Sequence, residues 1–203
     1  MSLGCWLAIL GGVGLIAFLL ISNLHKKVAT KPDPSVRIVA FELAGSGLTA
    51  YDMLESWSEA GRQVARRCLK IDSGIIAGYV GAFIGFGGVA VAVAADRSQC
   101  GWRTAALILG SIGVAAGVVA GVADMMENVA LRKVLTSWQP YAGPVTDPPA
   151  VKAPKVAAHR RECAAQLHPF ALAAAQRARV KFALIVVGGV AILAAGTILY
   201  AAR

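Results

Sequence analysis

Four stretches of this chain, 5–21, 73–95, 104–123 and 182–200, contain no Asp, Glu, Lys or Arg. Each approaches the roughly 20 apolar residues that a helix needs to cross a hydrocarbon layer about 30 Å thick. Backbone groups at that depth have no water to bond, so such stretches fold as helices that satisfy themselves. Composition agrees: 57% of residues are hydrophobic, 15% are charged, and the mean hydropathy is +0.65. In water, 203 residues could not enclose that much apolar surface. The expected fold class is all-α: a polytopic membrane protein with four transmembrane helices and an amphipathic interfacial helix between the first and second.

The chain then divides into five segments. Residues 1–27 are the first span and its flank, and 28–71 a cytoplasmic or interfacial segment. Residues 72–135 form a transmembrane hairpin, 136–181 a Pro-rich linker and basic helix, and 182–203 the fourth span. The first span reads as an uncleaved anchor. No basic residue precedes it, and His25-Lys26-Lys27 stands where a signal peptide would have its cleavage site. Asp96 to Arg103 join spans two and three, and so short a link makes them antiparallel neighbours. Between 136 and 154, Pro140, Pro144, Pro148, Pro149 and Pro154 predict an extended linker. Pro169 is a candidate break in the helix that follows.

From Ala50 to Leu69, Met53, Leu54, Trp57, Val64 and Leu69 alternate with Asp52, Glu55, Glu59, Arg62 and Arg66 in a helical rhythm. Two readings stand open. The helix lies on the membrane with Trp57 at headgroup depth, or it packs against the protein's own segments. Val36 to Leu43, short and apolar, is a second interfacial candidate.

Net charge is +9 with a pI near 9.8. No basic-aromatic groove accompanies it, so nucleic acid is not the expected partner. Of 20 Lys and Arg, 8 lie between spans one and two and 9 between spans three and four, counting Lys181. The positive-inside rule makes those segments cytoplasmic and puts both termini and Arg97 outside, in a cell membrane. Cys5 and Cys100 then share the outer face, and Cys68 and Cys163 the inner. An outer disulfide requires Cα atoms within about 7 Å.

Ionisable groups at membrane depth are costly and ask for a partner. Asp72 opens the second span, and Asp124, Glu127 and Asn128 close the third. The hairpin brings these ends to one side, where Glu42 also lies. At about 100° per residue, Asp72, Tyr79, Phe83 and Phe86 share one face of span two, with Gly74, Gly78, Gly81, Gly85 and Gly88 opposite. On span three, Gly110, Gly113, Gly117 and Gly121 lead to Asp124 and Asn128. Such rows let helices approach closely, the small-xxx-small pattern. Arg132, one turn beyond Asn128, is a candidate partner for Asp124 or Glu127.

Arg160, Arg161, Arg177, Arg179 and Lys181 form a juxtamembrane basic cluster suited to anionic lipid headgroups. His159, Cys163 and His168 lack the spacing of a metal site, and no metal is expected. There is no Walker loop, nucleophile elbow, HExxH or dinucleotide fingerprint, so no cofactor is expected and no catalytic residue is assigned.

Several of these residues fall in recognisable motifs: Val39-Ala40-Phe41-Glu42-Leu43-Ala44-Gly45-Ser46, Ser56-Trp57, Leu69-Lys70-Ile71-Asp72 with Tyr79, and Asp124-Met125-Met126-Glu127-Asn128. Together they resemble the motif series of an uncharacterised bacterial four-helix integral membrane protein family. Its members carry an FELA-type segment after the first span, an aspartate and a tyrosine in the second, and a DxxEN ending to the third. The likeness covers residues 36 to 135. It implies that Glu42, Asp72, Tyr79, Asp124, Glu127 and Asn128 act together, and it brings no activity with it.

Three functions fit these residues. One is a helical bundle that binds a lipid, a small ligand or a partner subunit, or assembles with copies of itself. The second is a membrane enzyme acting on a lipid or isoprenoid with carboxylates as acid, base or metal ligands. The third is a transporter-like unit, although no inverted repeat is present.

Overall fold

The computed structural model describes residues 2–30, 38–96, 102–143 and 148–201, leaving aside the side chains of 25–30. The described residues form helices without a strand: α1 (Leu3–Thr30), α2 (Ile38–Glu42), α3 (Gly47–Ser56), α4 (Glu59–Ala95), α5 (Trp102–Ser137) and α6 (Pro149–Ala201). Helices α1, α4, α5 and α6 are long and apolar enough to cross a membrane. The chain is all-α, with the four candidate spans of a multi-pass membrane protein. Arg97 and Cys100 lie outside the described residues.

The helices contribute to two compact units. The first comprises Met1–His25, Ile71–Met125 and Val180–Arg203, and the second Lys26–Lys70 and Met126–Arg179.

The first unit is the apolar bundle. Its helices pair in opposite directions. Along α1 and α4, Leu7 meets Gly88, Gly11 meets Gly85, Phe18 meets Gly78 and Ile21 meets Gly74. Along α4 and α5, Gly87 meets Gly110, Phe83 meets Gly117 and Val80 meets Gly121. Spans two and three are therefore antiparallel neighbours. The glycine row of α4 turns to α1, while Gly110, Gly117 and Gly121 of α5 turn to α4. Contact is close: a methyl group added at Gly14 would come within 2.8 Å of the Gly78 carbonyl oxygen. Gly113 meets Ile192 of α6.

The second unit has its own hydrophobic core. Phe41, Leu54, Trp57, Val64, Cys68, Leu131, Val134 and Leu167 are among its buried core residues. The FELAGSG sequence builds the entry to α3. Gly45 adopts φ +66°, the left-handed region where a side chain is disfavoured. Ser46 caps α3, its hydroxyl accepting from the Thr49 N–H at 3.1 Å. Gly47 lets α3 touch the Ala164 carbonyl of α6, and its N–H donates to His168 Nδ1 at 3.3 Å.

The amphipathic stretch 50–69 is two helices rather than one. Trp57 is extended, with ψ 138°, and Ser58 restarts the chain by accepting from the Gly61 N–H at 3.0 Å. Arg62 secures the corner. It donates to the carbonyls of Leu54 (2.9 Å) and Trp57 (2.5 Å), and its guanidinium stacks 4.4 Å from the Trp138 ring centroid. Trp57 is 2% exposed and packs on Phe41 with centroids 5.1 Å apart. The apolar stripe thus faces the protein's own core, and Trp57 is buried within it.

The proline-rich linker is shorter than expected. Helix α5 runs to Ser137 and α6 already begins at Pro149, where a missing N–H costs nothing. Pro169 does not break α6, which spans 53 residues and contains both Pro154 and Pro169. Cys163, Ala164, Leu167, Ala171 and Ala174 continue one buried stripe past Pro169. That packing offsets the bond lost to the Ala165 carbonyl, which lies on an exposed residue.

Candidate functional site

Among the described residues, the first unit holds one buried polar constellation. Asp124 is 3% exposed near the end of the apolar stretch of α5. Lys181 Nζ of α6 donates to its Oδ1 at 3.0 Å, and the Tyr79 hydroxyl of α4 donates to its Oδ2 at 3.1 Å. Lys181 is itself 5% exposed. Aromatic rings surround the triad. Tyr79 packs edge-on against Phe18 of α1 and Phe83 of α4, each with centroids 6.5 Å apart. Lys181 Nζ lies 4.9 Å from the Phe182 centroid. All four spans therefore contribute to one contact region. Asp72, half-buried on α4, is close enough to act electrostatically on Asp124.

An ammonium and a carboxylate so placed neutralise each other, and with the phenol's hydrogen bond they tie three helices together. Both Asp124 oxygens accept a bond, so the carboxylate is engaged on each side. Desolvating two charges is costly, and only close bonding geometry compensates.

Lys181 corrects the expected membership of the basic cluster. It turns inward and donates to Asp124. The cation on Asp124 is thus Lys181 and not Arg132, which donates to the Leu69 carbonyl at 3.0 Å. Sequence reasoning missed this pair, although both residues sit at the same ends of adjacent antiparallel spans. The other expected members, Glu42, Glu127, Asn128 and Arg132, belong to the second unit. Glu127 is fully buried there, Asn128 is 4% exposed and Glu42 9%.

In the second unit, Arg160 pairs bidentately with Asp52, at 2.8 Å for Nε to Oδ1. Arg177 donates to the Met126 carbonyl at 2.8 Å. Arg161 and Arg179 are exposed. His159 Nε2 lies 3.1 Å from the Gln139 carbonyl oxygen and 3.4 Å from Cys163 Sγ. Among the described residues, no group of three or more metal-ligating side chains comes together.

The outer surface of the first unit carries apolar grooves. One of about 400 Å³ between α4 and α5 is lined by Ser73, Ile76, Val80, Val118, Gly121 and Met125. Another of about 660 Å³ between α4 and α6 is lined by Phe86, Val89, Ile192, Leu193 and Tyr200, among others.

Compared with known proteins, the chain matches no family model, no curated protein and no solved structure.

Proposed function

We propose that this chain is a non-enzymatic membrane protein, a small helical bundle that binds lipid or a partner subunit as an accessory component. One observation carries the reading: the Asp124 carboxylate is bonded on both oxygens to Lys181 and Tyr79 inside the bundle. Its chemistry is used to hold helices together, which leaves the apolar outer surface as the binding face. The 400 and 660 Å³ grooves on that face have the apolar lining that an acyl chain or a neighbouring helix requires. Glycines meeting backbone at the α1–α4 and α4–α5 contacts support small-xxx-small packing as the means of assembly.

The lopsided Lys and Arg distribution supports an orientation with the second unit cytoplasmic and both termini outside. The motif likeness supports a bacterial inner membrane, and a shared role for the FELA-type and DxxEN residues.

Asp124→Asn and Glu127→Gln test the reading. A binding scaffold predicts that Asp124→Asn is poorly folded or fails to assemble on size-exclusion chromatography, with membrane-borne molecules lost from the purified protein. A variant that folds, assembles and keeps its bound molecules, yet abolishes a cellular phenotype, would favour the enzymatic alternative.

A further inference from the structure

The charges of the second unit are sorted along its helices. Three stretches adjoin the apolar spans: 61–70 of α4, 126–135 of α5 and 170–179 of α6. They contain eight Lys or Arg (Arg62, Arg66, Arg67, Lys70, Arg132, Lys133, Arg177, Arg179) and one acid, Glu127, which is 0% exposed. The remoter helical stretches of the same unit, 47–60 and 149–169, contain four basic and four acidic residues, and all four acids (Asp52, Glu55, Glu59, Glu162) are exposed. Helix propensity alone would not separate the signs in this way.

Exposure sharpens the pattern. Arg66, Arg67, Lys70, Arg132, Lys133 and Arg179 are exposed, so the span-adjoining stretches present cations and no exposed carboxylate. Among them lie apolar side chains that a water-facing surface would not favour: Met126 at 48%, Val129 at 54% and Leu172 at 39% exposure. The α2–α3 turn packs on one of these stretches, Gly45 resting against Ala175 of α6, and the exposed Leu43 lies beside it. Exposed cations interleaved with exposed apolar groups suit the boundary where phosphate headgroups meet acyl chains.

We infer that this collar is a binding surface for anionic phospholipids, with Arg67, Lys70, Lys133 and Arg179 holding headgroup phosphates while Met126, Val129 and Leu172 contact the upper acyl chains. The inference rests on the membrane-protein reading above and names its lipid class. It also keeps Arg179 of the expected headgroup site and replaces Arg160, which is paired with Asp52, and Lys181, which is buried, with the exposed Arg67, Lys70 and Lys133.

The test uses the full chain in phosphatidylcholine nanodiscs with and without phosphatidylglycerol, read by thermal unfolding and by native mass spectrometry of retained lipid. The wild type should be more stable with phosphatidylglycerol and should retain it preferentially, an advantage that shrinks in high salt. This arm needs no variant, and equal behaviour in both discs would overturn the inference. The substitutions Arg67→Gln, Lys70→Gln, Lys133→Gln and Arg179→Gln together should cut the preference about tenfold or more. Lys152→Gln, Lys155→Gln and Arg161→Gln together, on the remoter stretch, should leave it intact, and equal losses in the two sets would overturn the site. Inorganic phosphate added to lipid-free detergent samples should not reproduce the stabilisation, and if it does, the site is a phosphate site and not a lipid one. Release of the chain from membranes by alkaline carbonate would instead sink the underlying membrane reading.

Discussion

Removing either member of the Asp124–Lys181 pair should be more damaging than removing both. The two side chains are 4% and 7% exposed and their charged atoms are 3.0 Å apart. At an effective dielectric of about 20, unit charges at that separation attract by about 5 kcal/mol. Each ion also loses several kcal/mol of hydration on burial, so the intact pair contributes little net stability. Lys181→Met strands the carboxylate, and Asp124→Leu strands the ammonium beside a bundle of aromatic rings. Each single variant should therefore lose about 3–5 kcal/mol. The double variant removes both charges of the pair and takes the Asp124 acceptor from the Tyr79 hydroxyl, a cost of about 1–3 kcal/mol. Adding Tyr79→Phe should recover most of that. Equilibrium unfolding in mixed micelles, followed by tryptophan fluorescence, gives the four free energies of the cycle. The expected result is a coupling energy of about 3 kcal/mol or more between positions 124 and 181. Additive losses, or single variants within about 1 kcal/mol of wild type, would refute the claim that the pair is desolvated and mutually compensated.

Other outcomes follow from the packing. Gly14→Ala should destabilise the bundle by about 1–3 kcal/mol, because its methyl would meet the backbone of α4, whereas Gly12→Ala and Gly196→Ala, with open space around them, should leave thermal unfolding unchanged. Arg62→Ala removes two charge-assisted bonds to carbonyls and the stacking on Trp138, so about 3 kcal/mol or more should be lost together with a shift in Trp138 emission. Ser46→Ala should cost about 1 kcal/mol through the lost α3 cap, measurable as a lower melting temperature without loss of membrane insertion. Thiol labelling of intact cells should reach the exposed Cys5 from outside, and labelling there only after permeabilisation would reverse the proposed orientation.

The sequence by itself determined the spans, because a long uncharged apolar run has one solution in a bilayer, a helix that satisfies its own backbone. It also determined the antiparallel hairpin, since the eight residues between the charge-free stretches, 96–103, permit no other neighbour arrangement for spans two and three. Helical spacing further placed Asp124 and Asn128 on a buried face, and both are buried. What spacing cannot state is which surface a face meets. The stripe of Leu54, Trp57, Val64 and Leu69 suits a membrane surface and a protein interior equally, and only the core built with Leu131, Val134 and Leu167 decided for the interior. The same limit hid the partner of Asp124. Arg132 is eight residues away along one helix, whereas Lys181, 57 residues away, arrives through the packing of α5 against α6. A charge at membrane depth demands a counter-charge, so the sequence could require a partner for Asp124. Identifying it as Lys181 took the tertiary fold, because side chains distant in sequence become neighbours only when helices pack.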